Sequence, residues 1–79
     1  MSRERLATIL TRHRGDTTVT HIHSELELRG CDISYQAVAR WFAGDRIPQG
    51  PALLLLCDIL RLDDPVRAEV FMLAAVGAP

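Results

Sequence analysis

The 79-residue chain contains no lysine; all nine of its basic side chains are arginine. Cysteine is scarce too. Cys31 and Cys57 are too few and too patternless for a disulfide scaffold or a zinc ribbon. No apolar run, whether Ala52 to Cys57 or Val70 to Val76, approaches the 18 or so residues of a membrane span. The opening Met1-Ser2-Arg3-Glu4-Arg5 leads into an amphipathic segment rather than a signal-peptide core, so a cytoplasmic protein is expected. A strong charge of either sign is also missing. Seven arginines meet six acids over residues 1–48 and two meet four over residues 49–79, for a net charge of −1. That excludes a basic arm of the kind that binds nucleic acid indiscriminately.

What is present is ordinary globular composition. Hydrophobic residues at 48% and charged residues at 24% argue against disorder. A chain this short buries about 60–65% of its unfolded surface, enough for one small domain (residues 1–79) with a modest core. Composition alone therefore favours a binding module over an enzyme.

Hydrophobic periodicity predicts five helices and no strands. Ser2 can cap a first helix to about His13, with Leu6, Ile9 and Leu10 on one face. After the Arg14-Gly15-Asp16 turn, Thr17 or Thr18 caps a second helix carrying Val19, Ile22 and Leu26 and ending near Arg29. Gly30 is a natural left-handed stop. Ser34 begins a third helix, through Val38 and Trp41 to about Phe42, which Gly44 to Pro48 terminates. Pro51 suits the first turn of a fourth helix to Leu60, apolar nearly all the way round. Asp63 or Asp64 caps a fifth, from Pro65 to about Val76.

The informative stretch is Ser34 to Pro48. A serine cap is followed by Tyr35, Gln36, Ala39 and Arg40 on one side of the helix, with Val38 and Trp41 on the other. Trp41-x-x-Gly44-x-Arg46-x-Pro48 follows at once. These residues resemble the Cro and lambda-repressor-type helix-turn-helix regulators, often called the xenobiotic-response-element family. The likeness spans roughly residues 3–76, but only 34–62 is specific. One spacing departs from the family pattern, because Leu26 or Leu28 is followed by Arg-Gly-Cys-Asp-Ile before Ser34. The run Glu25-Leu26-x-x-Arg29-Gly30-x-x-Ile33-Ser34 looks more like the helix-turn-helix of some winged-helix repressors. It implies a second helix about one turn longer, or a wider turn. No strands follow to make a wing, so the Cro-type assignment is retained.

The resemblance implies an all-α, lambda-repressor-like bundle of five short helices, with a helix-turn-helix at about 18–43. Its third helix would lie in the major groove. Gln36 would pair with adenine and Arg40 with guanine O6 and N7, Tyr35 would reach a base edge or phosphate, and Ala39 would rest on a thymine methyl. Thr18, Ser34 and Arg46 would hold phosphates. The implied function is sequence-specific binding of a pseudo-palindromic double-stranded operator by a nucleoid-associated regulator, a repressor in the family's commoner usage. A protein-binding adaptor or antitoxin that keeps the motif as scaffold is the alternative.

Other chemistries fit poorly. His13, His21 and His23 with Cys31 and Asp32 offer metal-ligating atoms, but positions 21 and 23 are about 200° apart on a helix and cannot face one ion. A Cys/His nucleophilic pair fails similarly, since Cys57 is predicted buried in the fourth helix and neither cysteine sits in an oxyanion-forming glycine turn. No cofactor, metal or small-molecule effector is expected. A homodimer is, since one such helix reads only a few base pairs. Its expected interface is the fifth helix (65–76), through Val70, Phe71, Met72 and Leu73, because that helix is apolar on two sides.

Overall fold

The periodicity is realised as five helices: α1 (Ser2–Arg14), α2 (Val19–Leu28), α3 (Tyr35–Ala43), α4 (Pro51–Ile59) and α5 (Asp64–Gly77). The computed structural model describes residues 2–77, and no strand occurs among them. The side chain of Ser2, expected to cap α1, lies outside the described residues. The other caps resolve the alternatives that the sequence left open. Thr18, not Thr17, caps α2, its hydroxyl accepting from the His21 N–H at 3.1 Å. Asp63, not Asp64, caps α5 by accepting from the Val66 N–H at 3.2 Å. Ser34 accepts from the Ala37 N–H at 3.1 Å and starts α3. Each bond satisfies an amide that the first turn of a helix leaves without a partner.

Packing follows the apolar stripes. α1 lies against α5 and α3, and α2 lies against α3 and α4, so α3 has neighbours on both sides. Leu6 and Leu10 of α1, Ile22 and Leu26 of α2, Val38 and Trp41 of α3, Leu53, Leu56 and Cys57 of α4 and Val70, Leu73 and Ala74 of α5 form one core cluster. No polar or charged residue is buried with them among the described residues. Leu28, one of the two leucines that could have ended the core stripe of α2, is 81% exposed, whereas Leu26 is sealed. The polar edges of the bundle are tied by ion pairs, Arg5 to Glu69 at 2.7 Å and Arg67 to Asp58 at 2.6 Å. Exposed pairs of this kind contribute at most about 1 kcal/mol each. No described helix is long and apolar enough to cross a membrane.

Two of the expected dimer residues are corrected here. Val70 and Leu73 face inward and are buried in the chain's own core. They sit three residues apart, on the same side as Ala74, and that side packs inward as α5 lies against α1. Phe71 is half-buried and Met72 is exposed.

The helix ends show where the backbone is under constraint. α3 stops at Gly44, whose φ of +84° is the left-handed region. A Cβ there would also sit 3.6 Å from that of Ala7 on α1. α4 stops in the same way but without a glycine. The Arg61 N–H donates to the Asp58 carbonyl at 3.2 Å and the Leu62 N–H to the Cys57 carbonyl at 3.1 Å, with Arg61 held at φ +54°. This paired-bond helix end prefers glycine at that residue. Replacing Arg61 by glycine is therefore expected to raise stability by about 0.5–1 kcal/mol, seen as a higher urea midpoint at unchanged slope. An unchanged or lower midpoint would show that the left-handed residue carries no strain.

Candidate nucleic-acid interface

A nine-residue helix turns two opposite faces to its surroundings, and α3 divides them cleanly. Val38 and Trp41 point into the core, Trp41 with only 4% of its surface exposed. Tyr35, Gln36 and Arg40 are exposed on the opposite face, and Ala39 between them is half-buried. The four candidate base-reading residues are thus brought together on one outward surface, with Ala43 continuing it toward the C-terminus. Their spacing of 1, 4 and 5 residues along a 3.6-residue repeat leaves them no other arrangement once Val38 and Trp41 are buried.

The candidate phosphate-binding residues lie at element boundaries. Thr18 and Ser34 are both exposed. As acceptors for their own helices, each hydroxyl still has its proton to donate to an anion. Arg46 is exposed on the connection after α3. Among the described residues neither Arg40 nor Arg46 makes an ion pair or side-chain hydrogen bond, in contrast to Arg5, Arg29 and Arg67, each of which meets a carboxylate. The α3 surface and the connection after it thus carry two guanidinium groups with no carboxylate partner among the described residues.

The connection between α2 and α3 spans residues 29–34, so the unusual spacing is a wider turn and not a longer helix. What holds it was not anticipated from the sequence. His23 on α2 reaches forward to the turn, its Nε2 lying 2.7 Å from the Ile33 carbonyl. A carbonyl can only accept, so Nε2 carries the proton. Nδ1 faces Glu27 at 3.5 Å. The same imidazole meets Tyr35 edge to face, with ring centroids 6.1 Å apart and planes at 82°. One side chain thus fixes the turn and braces the first aromatic residue of α3. Before the start of α2, Arg14 at the end of α1 holds the preceding turn, its Nη1 donating to the Thr17 carbonyl at 2.9 Å. Its guanidinium carbon lies 4.9 Å from the centre of the Phe42 ring. Only the i, i+4 spacing of His23 and Glu27 gave a local signal for any of this; Arg14 and Phe42 are joined by the fold alone.

The remaining chemically active side chains are dispersed. His21 faces Glu25 at 3.6 Å on the other side of α2 from His23. Among the described residues no three histidine, cysteine, aspartate or glutamate side chains are placed to hold a metal ion. Cys57 is fully buried, and loss of hydration pushes its thiol pKa up, which keeps it in the unreactive protonated form. No known protein family, curated protein or solved structure matches the chain.

If His23 holds the turn, His23→Ala should destabilise the fold by about 1 kcal/mol, the value of one intramolecular hydrogen bond. Amide hydrogen exchange at residues 29–36 should accelerate more than elsewhere in the chain. Uniform acceleration across all five helices would mean that His23 contributes only general packing.

Proposed function

We propose that this protein is a sequence-specific double-stranded-DNA-binding transcriptional regulator, a repressor of lambda-repressor-like fold that reads the major groove with α3. The observation that carries this reading is the division of α3. Its apolar residues are spent on the core, while a face bearing an amide, a guanidinium, a phenol and a methyl group is presented outward with few competing partners. That set matches the donor, acceptor and methyl pattern of base-pair edges. Gln36 offers one donor and one acceptor to adenine, and Arg40 offers two parallel donors to guanine. Tyr35, braced by His23, supplies a hydroxyl at the first turn, and Ala39 leaves room for a thymine methyl. Thr18 and Ser34 donate their hydroxyl protons to backbone phosphates, and Arg46 adds a charge to the same task. The resemblance of Ser34 to Pro48 to Cro and lambda-repressor-type regulators points the same way. A cytoplasmic, nucleoid-associated location belongs to this reading.

A net charge of −1 gives little indiscriminate attraction to DNA, so base contacts and a second copy must provide the affinity. The surface that suits a homodimer is not the one the sequence suggested in full. Phe71 and Met72 remain on it, and Leu54 of α4 with Ala75 of α5 replaces the buried pair. Leu54, Phe71 and Ala75 line an apolar groove of about 570 Å³, with Met72 exposed nearby on α5. That groove is also the observation that favours the second reading, an adaptor or antitoxin binding another protein.

Selection from a random duplex pool is expected to enrich two half-sites about 34 Å apart, or a multiple of that. Gln36→Ala and Arg40→Ala should each cost about 1–3 kcal/mol and relax preference at one base pair, while Arg46→Ala should weaken all sequences alike and lower the salt slope by about one. A pool that yields no motif favours the adaptor reading. In sedimentation, the wild type should be dimeric on its DNA, and Leu54→Glu or Met72→Glu should dissociate it with helical content unchanged. Both positions are at least half exposed, so neither variant disturbs the core. A wild-type monomer on DNA would end the dimer proposal.

A further inference from the structure

Beside α3 lies a cleft of about 550 Å³ of which these roles use only Arg46. Ile33, Ala37, Trp41 and Ile47 give it an apolar floor, and the guanidinium-bearing side chains of Arg3 and Arg46 line it from α1 and from the connection after α3. No acidic residue is among those that line it. Arg3 uses one Nη1 proton on the Asp45 carbonyl at 3.3 Å, and Arg46 has no partner among the described residues. Each guanidinium carries five N–H donors, so most of this capacity is open. The volume falls within the range of about 300–1,000 Å³ typical of small-molecule sites, as does the combination of apolar walls with a few polar groups.

Two cations over an apolar floor complement one kind of molecule. We infer that the cleft binds a small organic carboxylate, its charge held between Arg3 and Arg46 and its apolar body against Ala37, Trp41 and Ile47. An inorganic anion gains nothing from the floor, and a neutral compound gains nothing from the arginines. The carboxylate takes up donors of Arg46, the same side chain proposed to hold a DNA phosphate. Bound ligand therefore weakens operator binding, which makes it an inducer. That consequence rests on the DNA-binding reading; the binding of the carboxylate does not.

Trp41 is the only tryptophan in the chain and forms part of the floor, so its emission reports on this cleft. Titration of the full chain with octanoate and phenylacetate should shift that emission saturably. Inorganic phosphate should produce no shift, and 2-phenylethanol should bind at least about tenfold more weakly, the difference expected from losing charge-assisted hydrogen bonds. Arg3→Gln and Arg46→Gln should each weaken the carboxylates by about tenfold, and Ala37→Leu should abolish the response by filling the floor without touching either charge. Circular dichroism checks that each variant keeps its helices. The inference is overturned by an unchanged emission up to about 10 mM carboxylate, well past millimolar affinity, by an equal response to 2-phenylethanol, or by folded arginine variants that bind as the wild type does. A carboxylate response in a protein that selects no DNA motif would uphold the cleft and remove the regulator reading. Where a motif is found, octanoate should lower affinity for it.

Discussion

The burial of Val38 and Trp41 is the constraint on which the rest of this structure depends. A nine-residue helix is unstable by itself in water, so α3 exists because its apolar side is packed between α1 and α2. Sealing those two side chains fixes the rotation of the helix about its axis. Once that rotation is set, Tyr35, Gln36, Ala39 and Arg40 must face outward together. The candidate interface is thus a by-product of core formation, and it is rigid for the same reason that the core is.

The two ends of α3 are held by different means. At its start, Ser34 caps the helix and His23 ties the preceding turn to α2 through the Ile33 carbonyl. At its end, Gly44 adopts a left-handed conformation close to Ala7 of α1, a backbone geometry that residues with a side chain rarely take. Arg14 links the beginning of α2 to Phe42 near the end of α3. Polar contacts here serve to position an apolar helix. They contribute modestly to stability, since most are exposed or half-exposed, but they limit how far α3 can shift relative to α2.

Arginine performs three distinct tasks in this lysine-free chain. Arg5, Arg29 and Arg67 neutralise carboxylates and fasten elements together. Arg14 packs its planar group on an aromatic ring, which the compact ammonium of lysine does less well. Arg40 and Arg46 are left without partners among the described residues. The near-zero net charge therefore does not reveal that these two guanidinium groups, one on α3 and one just after it, are free to meet a ligand. The linear sequence shows the counts of each charge but not which charges meet, and that pairing decides which arginines stay available.

Helix number, helix order and most caps were legible in the sequence because they rest on local physics. Apolar residues at three- and four-residue spacing, hydroxyl or carboxyl side chains at helix starts and glycine at helix ends act within one or two turns. The outward face of α3 was legible for the same reason. Choices between equivalent local signals were not. Leu26 and Leu28 are both plausible core leucines, and only packing against α3 and α4 leaves the second exposed. Val70 and Leu73 share an apolar helix with Phe71 and Met72, and only the position of α5 against α1 decides which pair is buried. The brace from His23 to Ile33 and Tyr35, the contact of Arg14 with Phe42 and the cleft between Arg3 and Arg46 join residues from different elements. Their energies depend on distances that only the folded chain defines, so tertiary structure alone determines them.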